Sequence, residues 1–551
     1  MLKAYDNFIK IATKTKITNP ELFSKRKKEI CKELGLPLPT NADIREVYEK
    51  MLSAKKIKRN LNLEKALFSK KIRTDSGVAV VAVLTKSYPC PGKCIYCPTE
   101  KEMPKSYLSN EPAVMRAISA KFNPYIQVQR RIRALELNGH KTDKIEIIVM
   151  GGTFSYLPKT YQKKFILECF RACNDYPKSK NKEQGARNNI KIKLENEQKK
   201  NETAKHRIVG LTLETRPDYI NAQELINFRN LGCTRVELGV QSIFDDVLEK
   251  NKRGHNVQRT IEATQLLKDF GFKINYHIMP GLLGSSVKKD FQMFQELFSN
   301  QPASTRGEDR SSTRGGSFQP DMLKIYPTVV IKQSPLYKIW KAGKYKALTD
   351  KNFSKFILRV KNEIIPPYVR ISRLVRDVPE SSILTGPKIS NLRQLIAKNS
   401  ACPCIRCREV RSDYNLKEKI ILHRIDYDAS GGKEIFLEYV SKDKKKLFAL
   451  LRLRINGSFA SMMEAKLPNV LKNSAIIREV HTYGKMNQIN QKDALSPQHI
   501  GLGKKLILEA EKIAKKEFNL DKIAVISGVG VRGYYRKLGY KLKDSYMVKK
   551  L

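Results

Sequence analysis

The sequence predicts an α/β protein: a partial (β/α) barrel of parallel strands, followed by a smaller α/β domain and preceded by a basic helical segment. Three observations carry this. From residue 79 onward, apolar β-branched runs alternate with helix-length segments, the pattern of a parallel sheet covered by its crossover helices. At 551 residues the chain is too long for one hydrophobic core. A tight cysteine cluster at 402–407 then separates the alternating region from a C-terminal stretch with strands of its own.

Residues 1–75 read as short basic helices. "NADIREVYEKMLSAKKIKRN" carries apolar residues at helical spacing, with Asn41 or Asp43 as the expected N-cap. Lysines and arginines recur through "FSKRKKEICKELG" and "KKIKRNLNLEKALFSKKIR". One such cluster is an ordinary solvated helix face, but their repetition beside a cysteine loop points to an RNA-binding surface.

Residues 76–375 hold the barrel. "VAVVAVLT", "KIEIIVMGGTF", "HRIVGLTLETRPD", "CTRVELGVQS", "FKINYHIMPGLLG" and "MLKIYPTVV" are read as continuous apolar strands ending in polar or glycine residues. The site is therefore expected at the strand C-terminal ends. Two stretches, 178–205 and 299–318, are poor in apolar residues and read as flexible surface insertions. Residues 376–415 form a junction. From 416 to 551, strands "EIFLEYV", "LFALLRLRI", "AIIREVHTYG" and "KIAVISGVG" surround a helix at 502–517.

Lys plus Arg number 105 against 55 Asp plus Glu, a net charge of +50. Self-repulsion on that scale is relieved by a polyanion, and nucleic acid is the expected partner. No apolar stretch approaches the ~20 residues of a membrane span. The N-terminus lacks the apolar core of a signal peptide, so a cytoplasmic location is expected. Six of the ten cysteines sit in two tight clusters, which in a large cytosolic chain points to metal rather than disulfides. Cys31, Cys169, Cys173 and Cys233 are expected as buried small hydrophobes.

"CPGKCIYC" places Cys90, Cys94 and Cys97 in C-x3-C-x2-C spacing directly after the first strand. A tight loop can bring three thiolates to three corners of an iron–sulfur cube, leaving one iron open to a small molecule. Zinc with a distant fourth ligand, or a reactive-thiol loop, satisfies the spacing alone. The spacing is that of the radical S-adenosylmethionine (SAM) enzymes, in which the open iron is chelated by SAM. Gly151, Gly152 and Thr153 end the next strand, and a glycine pair there resembles the radical-SAM motif whose backbone meets the methionine amino group.

"ACPCIRCREV" gives C-x-C-x2-C at Cys402, Cys404 and Cys407, suited to a structural zinc pinning two domains. His423 is a fourth ligand by proximity only, and redox thiols remain the alternative. In "SPQHIGLGKKLILEAEKIAKKE", Q-x-x-G-x-G opens an amphipathic helix whose N-terminal N–H groups suit a pyrophosphate. The order of strands and this helix, followed by "VRGYYRKLGY", resembles the GNAT acetyltransferase fold. That resemblance implies acetyl-CoA along Val480, His481, Gln498, Gly501, Leu502, Gly503 and Lys504. It also makes Tyr534 or, preferred, Tyr535 the general acid near the thioester, although either can be a core residue.

A radical-SAM barrel followed by a GNAT domain resembles the Elongator catalytic subunit family of tRNA wobble-uridine carboxymethyltransferases. "LETRPDY", "CTRVELGVQS", "RGH", "LLRLRI", "IREVHTYG" and "DKIAVISGVGVRGYYRKLGYKLKDSYMVK" carry the resemblance from about residue 76 to the C-terminus. It implies a [4Fe-4S] cluster on Cys90, Cys94 and Cys97, and SAM on Gly151, Gly152, Thr153, Glu214, Arg216 and Gln241. Glu237 and His277 also lie where SAM or substrate polar groups would sit, and Lys273 is a further catalytic candidate. A 5′-deoxyadenosyl radical would abstract hydrogen from the methyl of acetyl-CoA, the carbon radical would add to C5 of the uridine, and thioester hydrolysis would leave 5-carboxymethyluridine. The tight cysteine spacing implies an archaeal-type or bacterial-type stand-alone enzyme, alone or as a homodimer. Two other readings are carried along: a protein lysine acetyltransferase with a structural cluster, and a tRNA-binding scaffold with a degenerate site.

Overall fold

A computed structural model describes residues 5–15, 20–68, 77–177, 190–299, 316–411, 414, 418–457, 467–484 and 501–551. Helices Asp6–Lys14, Pro20–Glu33, Asn41–Ser53 and Leu61–Ala66 close on a small core of their own that includes Phe8, Ile44, Tyr48 and Leu63. The third helix is capped one residue before the expected Asn41. Thr40 accepts the Asp43 N–H, and the Asp43 carboxylate accepts the Thr40 N–H at 2.9 Å, a reciprocal capping box. Arg133, ion-paired to Glu49 at 3.3 Å, ties this unit to the barrel.

The barrel sheet contains β1 (Ala79–Leu84), β2 (Lys144–Met150), β3 (Arg207–Thr215), β4 (Arg235–Gln241), β5 (Lys273–Ile278), β6 (Met322–Ile325) and β8 (Arg370–Arg373). They lie in that order, each parallel to its neighbours. A short β7 (Val330–Ile331) pairs separately with β9 (Ile383–Thr385). The strands are not apolar throughout, as their runs suggested. Ile145, Ile147 and Val149 enter the core from one face of β2, as do Val236, Leu238 and Val240 from β4. The other face turns Glu146, Arg235, Glu237, Gln241, Asn275, His277 and Lys324 into the lumen, at the period of two that a strand imposes.

Part of the first polar stretch is a helix, Ile190–Asn201, not a featureless insertion. Leu194 reaches the core, and the Asn201 side chain accepts the Ile208 N–H and donates to the His206 carbonyl. In the second stretch Phe318 is buried. Residues 178–189 and 300–315 of these two stretches lie outside the described residues. Among the described residues, no helix is long and apolar enough to cross a membrane.

The C-terminal sheet contains β10 (Ile420–Ala429), β11 (Gly432–Ser441), β12 (Leu447–Asn456), β13 (Ala475–Thr482), β14 (Lys522–Val525), β15 (Lys541–Lys543) and β16 (Tyr546–Lys550), in the order β10-β11-β12-β13-β14-β16-β15. β13 pairs with β14 in parallel over Ala475–Ile477 only, so the two strands part from Arg478 onward. The helix Leu502–Lys516 packs on β12 and β13 beside that gap.

The two sheets meet across buried charges. Arg478 donates to Asp321 of the barrel at 2.5 and 3.0 Å and to Glu434 at 2.8 Å. Arg454 donates to Asp269 at 2.5 Å, and the Lys268 ammonium lies 3.6 Å from both Asp321 and Glu434. Asp321 also accepts the Ile274 N–H at 2.9 Å, which fixes the start of β5. Against the burial that would raise it, Arg478, Lys268 and Arg452 hold the Asp321 carboxyl well below the usual range.

Candidate active site

The strand C-terminal ends open into a chamber of ≈ 540 Å³ lined by Cys90, Cys94, Cys97, Gly152, Thr153, Glu214, Arg216, Glu237, Gln241 and His277. Cys94 lies closest to charge: Arg253 places Nη1 3.5 Å from its Sγ. A hydrogen bond with the Cys97 thiol, together with Arg253, draws Cys94 down to about 4 despite its burial. Among the described residues, only Cys402, Cys404 and Cys407 bring three ligand atoms within 4.8 Å of one another. The first trio does not form such a compact single-ion group: Cys94 and Cys97 are in hydrogen-bond contact, and the three thiols do not all lie within that distance.

The loop's glycine has a local cause. A Cβ at Gly92 would meet Arg216 Nη1 at 2.3 Å, so the loop lies directly on that guanidinium. Arg216 in turn donates two bonds to Asp218 and one to the Arg253 carbonyl. At Gly151 φ is +131° and a Cβ would strike Thr85 Oγ1 at 2.0 Å, and Gly152 follows at φ +93°. No side chain fits that turn, and its backbone stays open to a ligand. Gln241 ends β4 at φ +72°, and its buried Oε1 has no protein donor. Arg216 Nη1 is buried and unpartnered as well. Donor set, bare turn and orphaned polar atoms fit an iron–sulfur cluster with SAM.

The lumen carries a chain of charges. Tyr107 donates to Glu214 at 2.9 Å, His277 Nδ1 lies 3.8 Å from Glu214, and His277 Nε2 lies 3.0 Å from Glu237. Lys324 pairs with the same Glu237 carboxylate. Against burial, Lys324 and His277 hold Glu237 well below the usual range. Sequence reasoning missed Arg253, Lys324 and Tyr107; Arg253 begins the "RGH" motif, which was its only signal.

A second cavity, ≈ 530 Å³, lies between the end of β13 with the start of the helix Leu502–Lys516 on one side and the barrel strands on the other, lined by Val480, His481, Gly501, Gly503, Lys504, Tyr534 and Tyr535. Gly501 caps the helix, and a Cβ on Gly503 would stand 3.5 Å from both Thr482 Oγ1 and the Tyr534 hydroxyl. The cleft therefore offers free helix N–H groups beside a phenol, as a pyrophosphate and thioester need. Tyr535 is buried against Tyr534 and Tyr540, and burial pushes its phenol up. Leu502 turns into the core and is not on the cleft wall. Gln498 lies outside the described residues. Lys273 begins β5 rather than ending it, about 13 Å from His277 at strand rise. It lines the cleft, where its ammonium meets Glu479 at 3.0 Å. Glu146, Arg235, Met322 and Arg370 line both cavities, and Glu146 and Arg235 pair at 2.7 Å.

Cys402, Cys404 and Cys407 could hold a metal ion at the junction. The segment after them stitches the domains: Arg408 binds Glu438 at 2.7 Å, and Val410 donates to Leu447. His423 is not their fourth ligand. Its Nδ1 engages Glu438 and its Nε2 engages Lys444, both at 3.0 Å. Cys31, Cys169, Cys173 and Cys233 are buried and free, as expected.

The Radical SAM superfamily model matches residues 85–294, and the Radical_SAM C-terminal domain model matches 320–401. Membership of that superfamily implies a [4Fe-4S] cluster and SAM. The chain is 44% identical over 537 residues to the tRNA uridine(34) acetyltransferase of Methanocaldococcus infernus, covering 94% of this chain and 92% of the relative. It is 38% identical over 505 residues to Elongator complex protein 3 of Homo sapiens, covering 88% of this chain and 86% of the relative. A solved structure of the archaeal M. infernus Elp3 with its N-terminus deleted (1–46) superposes with a TM-score of 0.70 at 41% identity, covering 86% of this chain and all of that one. Chamber, cleft and kinship agree: the chain belongs to the radical SAM family of the tRNA uridine(34) acetyltransferases and Elongator complex protein 3.

Proposed function

We propose that this chain modifies the wobble uridine of tRNA, drawing two carbons from acetyl-CoA and leaving 5-carboxymethyluridine. The observation that supports this best is the shared wall. A single layer, Glu146, Arg235, Met322 and Arg370, lies between a chamber suited to SAM and a cleft suited to CoA. When bound, the cluster and SAM supply a 5′-deoxyadenosyl radical able to take hydrogen from the acetyl methyl group.

The chain's residues do the rest. Cys90, Cys94 and Cys97 hold the cluster, with Arg253 offsetting thiolate charge. The Gly151–Gly152 turn and Gln241 hold SAM. The N-terminal turn of the helix Leu502–Lys516 holds the pyrophosphate, and the Tyr534 hydroxyl, facing Gly503, is the proton donor to the departing thiolate. Tyr535 packs beneath it. Lys324 and His277 hold the Glu237 carboxylate ionised in the chamber wall, where it can accept a hydrogen bond from the substrate base. The base leaves its stack to enter, as an anticodon loop allows. The tRNA backbone meets the excess of lysine and arginine, the basic N-terminal helices included. Zinc on Cys402, Cys404 and Cys407 would pin the two domains. Transfer of acetyl to protein lysines would leave the shared wall without a role.

The test is anaerobic reconstitution of this chain alone with iron and sulfide, then SAM, acetyl-CoA and tRNA, with mass spectrometry of the nucleosides. The expected product is 5-carboxymethyluridine, formed without accessory subunits. An intact cluster that cleaves SAM and yields no modified uridine would return the protein to the lysine-acetylation reading.

A further inference from the structure

Three tyrosines outside the chamber lining converge on its rim. Tyr88 lies two residues before Cys90, Tyr156 follows the Gly151–Gly152 turn, and Tyr219 follows Arg216, so the loops after β1, β2 and β3 each deliver one ring. Tyr88 and Tyr156 meet edge to face at 6.2 Å, and Tyr156 and Tyr219 at 5.7 Å. The rings brace one another, yet Tyr88 is 37% and Tyr156 41% exposed. The same loops carry exposed lysines: Lys86 before Tyr88, its ammonium over the Tyr161 ring, Lys93 within the cysteine loop, and Lys159 after Tyr156, paired with Glu224. The nearby carboxylates are already engaged, Asp218 by Arg216 and Glu224 by Lys159.

Braced aromatic rings inside a cationic border suit unpaired RNA: bases stack on the rings and ammonium groups meet phosphates. A base drawn into the chamber leaves its neighbours unstacked at the mouth, where these rings stand. An acidic redox protein is the other occupant such a border admits. RNA is favoured because the rings stand where the loop must enter and offer faces to bases on either side. We infer that Tyr88, Tyr156 and Tyr219 form a stacking platform for the unpaired bases that flank the target uridine. The inference rests on the tRNA reading above.

The reconstituted full chain is titrated with an anticodon stem-loop RNA carrying a fluorescent base beside the target uridine, and with a blunt RNA duplex of equal length. Tyr156→Ala should weaken stem-loop binding roughly tenfold, Tyr88→Ala with Tyr156→Ala further, and Tyr156→Trp should restore it. The stacking-induced quench should vanish with the affinity, while duplex binding and dithionite-driven SAM cleavage stay unchanged. Equal stem-loop affinity in the double variant overturns the platform. Equal affinity with activity lost only under a protein reductant overturns it in favour of a redox docking site. Failure of the unaltered chain to bind the stem-loop would instead sink the tRNA reading, and the platform with it.

Discussion

The chamber at one end of the barrel strands and the charged seam at the domain interface use the same residue types and reach opposite states. In the seam, Arg454 and Arg478 are fully buried and each faces carboxylates of both domains. In the chamber, Gln241 Oε1 and Arg216 Nη1 are equally hidden from solvent and have no protein partner. A buried charge or amide is costly unless it is paired. Pairing between the domains makes the seam an adhesive; in the chamber, Arg216 holds Asp218 through its other nitrogens and leaves Nη1, with the Gln241 carbonyl, open to a ligand.

The contrast can be broken from either side. The largest effect is expected in the chamber: Cys94→Ala should abolish cluster assembly and reduce SAM cleavage to background. Thermal unfolding measured on the metal-free chain should move only slightly, because the substitution removes a single sulfur atom from the small buried cluster that Cys94 shares with Ile95 and Tyr96. In the seam the outcome reverses. Arg478→Met strands Asp321 and Glu434 without their central cation, and urea titration should show a loss of about 3–5 kcal/mol. Adding Asp321→Leu should recover part of it.

A pH series sharpens the same point. Against burial, their cationic neighbours hold Asp321 and Glu479 well below the ordinary carboxylate range. The folded values lie below the unfolded ones, so this stabilisation is complete above about pH 5. It begins to be lost as pH falls through about 4, where the unfolded chain takes up protons first, and goes on falling until the folded carboxyls protonate. Urea midpoints should therefore drop progressively below about pH 5, and drop less in Arg478→Met. The smallest effect belongs to one orphaned acceptor. Gln241→Ala should raise the SAM KM about fivefold, the worth of about 1 kcal/mol of hydrogen bonding, with kcat nearly unchanged.

What the sequence made legible follows the range of the interaction. Cys90, Cys94, Cys97 and the Gly151–Gly152 turn are set by local spacing, and they fall together in the chamber. Of the lumen, Glu237, Gln241 and His277 were reached through the family resemblance, whereas Arg235 and Lys324 were missed, Arg235 alternating with Val236, Leu238 and Val240 in a run that reads as apolar. Arg452 and Arg454 stand in "LLRLRI" like ordinary surface charges, and their carboxylate partners lie far away in the chain. Lys273 shows the cost of reading strands without direction: it opens β5 and faces the cleft, while His277 closes it and faces the chamber. β8, only four residues long, had too little pattern to register.

The wall shared by the two cavities has a thermodynamic consequence. Arg235 and Arg370 present charge to both sides, so an anion drawn to either guanidinium in one cavity changes the field in the other. Occupancy of the two compartments is thus linked, and the linkage is reciprocal: whatever one guest does to the affinity of its neighbour, the neighbour does in equal measure in return.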